Sequence, residues 1–303
     1  MIKVAIWGAE TDSAGELIRI LLLHPEVELM SVASESLQGK TIQSRHYGLT
    51  GERELRFAGN SDLKNIEMLF VAGKVDKELL LSLPLNYPEL RIVDLTDGVD
   101  FPLRNHELTA PGLSEIFRKN LVRGARYSYI LPPVASLVLI ALFPLAKNLL
   151  LNKEIRIRME CPESLQSTEE IERSERVISE VLGSIQQSFE EKIEFEYLPI
   201  KDKRGMRMSC TLKCGVSLEE VKGLYEGIYD DHNFAFLDDG TIHLHDVSGT
   251  QKCLIKLSKP EADILRVEAV ADPLMRGGAG DAIHVMNLLL GLYEKIGLTF
   301  RAI

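Results

Sequence analysis

The chain has 303 residues, with 35 Lys and Arg against 45 Asp and Glu, a formal net charge of -10, and 45% hydrophobic residues. With a mean hydropathy near zero, this composition excludes wholesale disorder, and the acidic balance without a basic block argues against a nucleic-acid partner. Four cysteines, Cys161, Cys210, Cys214 and Cys253, are too few and too scattered for a disulfide scaffold or a zinc site, and the length predicts two domains.

The opening Met1 to Gly8 lacks the apolar run and small-residue cleavage site of a secretory signal, so the expected compartment is the cytoplasm. Lys3 to Trp7, ending at Gly8, predicts a buried parallel strand. Ala14 to Leu23 follows as a helix that stops near His24-Pro25, because proline cannot continue it. Val27 to Ala33 is a second strand, and Met68 to Ala72 a third, reached through the polar segment Gly59 to Asn65. Arg91 to Leu95 is a fourth, after a loop holding Pro84 and Pro88. Strand, helix and strand within about thirty residues form a βαβ unit, which closes right-handed onto a parallel sheet. Residues 1–131 with 280–303 are therefore expected to form an α/β domain, a Rossmann-type doubly wound parallel sheet that binds dinucleotides.

Tyr127 to Ala146 carries no charge, but Pro132, Pro133 and Pro144 interrupt it. It reads as a core helix over Pro132 to Leu151, opened by a proline pair, and not as a membrane span. Residues 132–279 are expected to form an α+β second domain with a mixed sheet. Its strands are predicted at Glu154 to Met159, Ile193 to Tyr197, Met206 to Lys213 and Cys253 to Leu257. Helices are predicted at Glu169 to Phe189 and Leu218 to Tyr229, and an apolar helix at Gly280 to Tyr293 closes the chain.

Gly8 to Gly15 lies between the first strand and first helix, where unpaired N–H groups and the helix dipole favour a pyrophosphate. Thr11 and Ser13 offer hydroxyl donors to phosphate, and Ser13 offers a helix cap. Against tight binding, Thr11 replaces the glycine that permits close approach, and Glu10 and Asp12 place two negative charges beside an anion. The same residues also read as a turn that only serves the fold. Ser34-Glu35-Ser36 ends the second strand about twenty residues on, where a carboxylate would hold a ribose diol. Glu35 there would repel a 2′-phosphate and favour NAD over NADP; it also reads as a solvated loop carboxylate. His243-x-His245-Asp246 reads as a metal pair on one strand face or, more simply, as exposed histidines. Cys161 reads as a relocated nucleophile or as a strand-end thiol held protonated by Glu160 and Glu163. Cys210 and Cys253, in apolar strands, read as core thiols.

Two stretches carry a family resemblance. The first is Gly15-Glu16-Leu17-Ile18-Arg19 with the run through His24-Pro25 to Leu29. The second is Asp272-Pro273-Leu274-Met275-Arg276-Gly277-Gly278-Ala279-Gly280-Asp281-Ala282, followed by Met286-Asn287-Leu288. With Val93 to Thr96, Gly112 to Glu115, Phe143 to Lys147, Arg204-Gly205 and Tyr225 to Tyr229 between them in order, the chain resembles N-acetyl-γ-glutamyl-phosphate reductase over essentially its whole length. That resemblance implies NADPH-dependent reduction of an acyl phosphate to a semialdehyde in arginine biosynthesis. A cysteine thiolate would form a thioester and a histidine would handle the proton. The expected cofactor set is Gly8, Thr11, Asp12, Ser13, Ser34, Glu35 and Gly278, and the resemblance implies association through the second domain's sheet.

The catalytic positions depart from the pattern. The cysteine aligns with Pro133, the histidine with Ser174, and the amide of the last helix with Val285, while Cys161 to Ser167 replaces a glycine-rich substrate loop. The expectation is a diverged homologue with no catalytic residues, no metal, and weak or absent binding of NADP or NAD. It would act by nucleotide or protein binding, as a homo-oligomer or a mixed oligomer with an active homologue. The alternative is an NAD(P)-dependent semialdehyde dehydrogenase with an altered site.

Overall fold

The computed structural model describes residues 1–51, 55–59, 63–96, 100–151, 154–189 and 193–302. The chain forms two compact units, Met1–Leu131 with Gly278–Thr299, and Pro132–Gly277 with the residues from Phe300. In the first unit lie β1 (Ile2–Trp7), α1 (Asp12–Leu22), β2 (Val27–Ala33), β3 (Met68–Val71), α2 (Lys77–Asn86), β4 (Arg91–Asp94), β5 (Thr109–Pro111), α3 (Ser114–Val122) and β6 (Tyr127–Tyr129). The second unit holds α4 (Pro133–Lys147), β7 (Arg156–Pro162), α5 (Thr168–Ile185), β8 (Glu194–Ile200), β9 (Met206–Lys213), α6 (Leu218–Tyr229), β10 (Ala235–Leu237), β11 (Cys253–Glu261) and β12 (Ile264–Ala271). The chain then returns to the first unit as α7 (Ala279–Leu289).

The first unit is built on a six-stranded sheet in the order β2-β1-β3-β4-β6-β5, with every pairing parallel. Val4, Ala5 and Ile6 of β1 and Met68, Leu69 and Phe70 of β3 are wholly buried, as strands covered on both faces must be. From β1 the chain steps one way to β2 and the other way to β3. The carboxyl ends of β1 and β3 therefore flank the point where strand order reverses, the place where open α/β sheets hold ligands.

Three expectations need correction here. Pro84 lies inside α2 and not in a loop. The Asp76 carboxylate caps that helix by accepting from the Glu78 and Leu79 N–H groups at 2.8 and 3.0 Å, and a proline in the last turn removes one backbone bond only. β5 and β6, three residues each, were not foreseen. The core helix α4 ends at Lys147 and not at Leu151, because Leu149 adopts a left-handed φ of 59° that no helix can continue through. Among the described residues no helix is long and apolar enough to cross a membrane. The approach to β3 over Gly59 to Asn65 falls partly outside the described residues.

The second unit carries a mixed sheet in the order β10-β11-β12-β9-β7-β8, antiparallel at its centre and parallel at both margins. Ile157, Met159, Met208, Cys210 and Val267 are buried on one face, and α4 lies against β9 and β12 with α5 and α6 packed beside it. Pro144 within α4 cannot supply the N–H that Ile140 O would accept. The Tyr229 hydroxyl donates to that carbonyl instead, and the Tyr225 hydroxyl donates to Ala141 O at 2.6 Å. The pairing explains why a proline inside α4 accompanies two tyrosines one turn apart on α6. The other sheet face exposes alternating Arg156, Arg158, Glu194, Glu196, Arg207, Arg266 and Glu268 around a shallow cavity of about 600 Å³.

Candidate functional site

In the first unit the loop after β1 presses against the loop after β3. Gly8 has φ +69°, and a Cβ there would sit 2.5 Å from Gly73 Cα; a Cβ on Gly73 would sit 2.3 Å from Gly8 O. Both positions therefore require glycine. Thr11 ties the same two loops. Its hydroxyl donates to Ala72 O at 2.8 Å and accepts from the Ala14 N–H at 3.1 Å. Thr11, not Ser13, is thus the N-cap of α1, and its one hydroxyl proton is spent on Ala72, so it does not donate to a phosphate. Asp12 is paired with Arg45 at 3.0 Å, which offsets part of the negative charge expected at this helix start. His46 closes the loop from behind: its Nε2 donates to Ala9 O at 2.7 Å, and a Cβ on Gly15 would lie 2.5 Å from its Nδ1. Burial pushes the His46 pKa down.

Beside this junction lies a cavity of about 360 Å³ lined by Trp7, Gly8, Glu10, Ser34, Glu35, Ser36, Gly59, Lys74 and Asp76, among others. Of the residues proposed from sequence, Gly8, Ser34 and Glu35 stand on its wall. Ser34 is buried with its hydroxyl 3.2 Å from that of Ser36, and Glu35 is exposed. Thr11, Asp12, Ser13 and Gly278 are not part of that wall. Gly278 is instead the N-cap of α7, its carbonyl accepting from the Ala282 N–H at 3.1 Å.

Sequence reasoning missed Trp7, Lys74 and Asp76, and saw Glu10 only as a charge. Trp7, placed at the carboxyl end of β1 just before Gly8, was the one readable signal. Trp7 Nε1 and Glu10 Oε2 are both buried and have no hydrogen-bond partner. Each such group costs about 1–3 kcal/mol if nothing satisfies it. The cavity beside the strand reversal is where an open α/β sheet holds a nucleotide; its charged lining is Glu10, Glu35, Lys74 and Asp76.

Also in the first unit, Ser114 Oγ lies 3.1 Å from His284 Nδ1, and His284 Nε2 donates to Glu294 Oε2 at 2.9 Å. The trio resembles a nucleophile–base–acid set in outline; with Ser114 and His284 buried and Arg118 also holding Glu294, it ties α3, α7 and the following loop together. Asn287 is a second brace. Its amide donates to Glu294 O at 3.1 Å and Ile296 O at 2.9 Å, while Oδ1 faces His24 Nε2 at 3.3 Å.

In the second unit Pro133 and Ser174 stand at the positions expected for the cysteine and the histidine. Pro133 is the first residue of α4, with neither an N–H nor a side-chain heteroatom. Ser174 is buried in α5 and, in the first unit, Val285 is buried in α7. All four cysteines are buried and free; burial pushes the Cys161 thiol up and Cys210 up to about 12. Burial therefore works against the thiolate, the reactive form that a relocated nucleophile at Cys161 would need. His243 and His245 also need correction. His243 caps a 3₁₀ turn, Leu244–Asp246, and His245 lies within it, so neither is on a strand; their rings stack at 5.1 Å, and no group of three metal-ligating side chains occurs among the described residues. Asp272 is wholly buried, accepting from Arg204 at 2.9 Å and from the Gly249 and Leu274 N–H groups at 2.7 and 2.8 Å. The two terminal family stretches thus brace the fold.

A doubly wound nucleotide-type unit joined in sequence to a mixed-sheet unit defines a semialdehyde dehydrogenase fold. Residues 3–135 match the family described as semialdehyde dehydrogenase, NAD binding domain. Aspartate semialdehyde dehydrogenase II of Vibrio cholerae superposes with a TM-score of 0.71 at 14% identity, over 97% of this chain and 99% of that one. The Candida albicans aspartate semialdehyde dehydrogenase, solved with NADP, gives 0.68 at 12% identity over 98% and 99%.

N-acetyl-γ-glutamyl-phosphate reductase of Parabacteroides distasonis is 32% identical over 323 residues, covering 99% of both chains. That of Christiangramia forsetii is 32% identical over 324, covering 100% of this chain and 99% of the relative. The chain belongs to the N-acetyl-γ-glutamyl-phosphate reductase family. The first alignment spans 323 positions against 303 residues here, so at least 20 positions of the relative have no counterpart in this chain.

Proposed function

We propose that this chain is a family member that no longer reduces acyl phosphates and acts by binding a nucleotide in the first unit. The observation that carries the reading is the absence of any available thiol. Pro133 stands where the resemblance puts the nucleophile, and every cysteine is buried. Acyl-phosphate reduction needs a thiolate to form the thioester that accepts hydride, and no uncharged residue substitutes for it. The cofactor cavity persists because its loops also hold the fold together. NADP binds it weakly or not at all, since carboxylates line the wall.

The test is phosphate-dependent oxidation of N-acetylglutamate semialdehyde with NADP or NAD, and no turnover is expected. Turnover abolished by Cys161→Ala would overturn the reading and make the chain an NAD(P)-dependent semialdehyde dehydrogenase with an altered site. We further propose self-association, or association with an active homologue, through the exposed face of the second unit's sheet. Its interleaved arginines and glutamates are complementary to a second copy of themselves. Sedimentation should show an oligomer that Arg158→Glu dissociates; a monomer at all concentrations rules out the homo-oligomer.

A further inference from the structure

We infer that His46 is an acid-sensitive prop: its neutral ring holds the loop between β1 and α1 in place, and protonation frees that loop. Such a prop would regulate the crevice of the proposed function, and only that consequence rests on the nucleotide-binding reading. The ring comes from between two 3₁₀ turns, Ile42–Ser44 and Tyr47–Leu49, short elements with poorer hydrogen bonds than an α-helix. Its Nε2 lies 2.7 Å from Ala9 O, and because a carbonyl only accepts, the ring proton sits on Nε2. Ala9 is wholly buried, and its own N–H donates to Ala33 O of β2 at 3.0 Å. This one residue is thus tied to the second strand by its N–H and to the turn by its carbonyl.

A second ring proton has no place to go. Nδ1 faces Gly15 of α1 so closely that a Cβ there would lie 2.5 Å away, so a proton added to it meets backbone carbon in place of an acceptor or water. The ring is buried, with Phe57 beside it at 6.0 Å. The charged groups that face it, Arg45 on its own turn and Asp12 on α1, are bonded to each other at 3.0 Å. Burial is the largest influence and opposes the charged form, Arg45 adds to it, and Ala9 O and Asp12 do not offset it. Charging the ring therefore means unseating it, which leaves Ala9 O without its donor. Thr11 still ties the loop to Ala72 O, so the release is local to Ala9 and the first turn of α1. Above the ordinary value of 6.5 the ring is neutral whether seated or released. Below it the released ring takes up a proton and the seated one does not, so the released fraction rises by up to about tenfold per pH unit until the seated ring titrates too.

The experiment is hydrogen–deuterium exchange of the full chain without ligand at about pH 7.5, 6.5 and 5.5, spanning the ordinary histidine value, with rates corrected for the intrinsic pH dependence of amide exchange. The amides to follow are Ala9 and Gly15, bonded to Ala33 O and Thr11 O, and Ala14, bonded to the Thr11 hydroxyl. Their protection should fall by up to about tenfold over the lower pH unit, while the amides of β9 in the second unit keep theirs. His46→Gln, whose side-chain amide can donate to Ala9 O but does not titrate, should give the same protection at all three pH values. Should that variant fail to fold, the ring resonances of the wild-type chain decide: His46 should titrate below 6.5. Titration of His46 at or above that value, or protection unchanged at the lowest pH, overturns the inference. So does a loss that persists in His46→Gln, which assigns it instead to His24, also buried in this unit. With no ligand present, these outcomes leave the proposed function untouched, and a failure of nucleotides to bind leaves the prop standing.

Discussion

Asn287→Ala isolates what the Met-Asn-Leu stretch does in this chain. The side chain is wholly buried, donates to two carbonyls of the loop after α7, and presents its oxygen to His24 at the end of α1. Each donated bond contributes about 1 kcal/mol net, and each buried carbonyl left without a donor adds about 1–3 kcal/mol of desolvation. Partial access of water to a loop lowers the sum, so the expected loss is about 3–5 kcal/mol. Trp7 lies in β1 of the same unit, so its fluorescence follows that unit's unfolding in urea. At an m-value of about 2–3 kcal/mol/M the midpoint should fall by about 1–2 M.

Asn287→Asp separates volume from hydrogen bonding. It fills the same space but sets an acceptor against two carbonyl oxygens, and should destabilise at least as much at neutral pH. A loss below about 1 kcal/mol in the alanine variant, or wild-type stability in the aspartate variant, refutes the argument. The residue would then be a relic of a lost site and not a brace.

Two further outcomes are expected. Hydrogen bonds from His284 and then Arg118 hold the Glu294 carboxyl down to about 2. A depressed carboxylate contributes stability that is complete above its ordinary value near 4.5 and lost as pH falls toward 2, on the order of 3 kcal/mol. Urea unfolding across that window should show the loss, and Glu294→Gln should flatten it; an unchanged slope disproves the assignment. The buried cysteines should leave the native chain unreactive toward a disulfide reagent at pH 8, with four thiols appearing in denaturant. A thiol that reacts at once in the native chain contradicts their burial.

β9 and α6 stand where their side-chain periods put them, because β9 buries alternate residues and α6 buries Val221, Tyr225 and Tyr229 along one stripe. β5 and β6 were illegible for the opposite reason. Three residues carry too little pattern, and both exist only through pairing with each other and, for β6, with β4. Pro84 misled because a proline normally marks a break, and the Asp76 cap that outweighs it sits eight residues away. In the candidate site, Gly8, Ser34 and Glu35 could be read because they follow directly from strand ends. Lys74, Gly73 and His46 could not, since they reach the first loop from β3 and from a turn more than thirty residues on. Ser114 and His284 meet across 170 positions, a distance no local pattern bridges.

The contact between Gly8 and Gly73 has a consequence for how this chain can vary. Each backbone fills the space that the other's side chain would need, so enlarging one residue cannot be compensated by shrinking its neighbour, which is already minimal. In a saturation library the pair should behave as two independently intolerant columns with no rescuing double variants. Natural divergence is therefore free to rewrite the walls of the crevice while the junction between its two loops stays fixed.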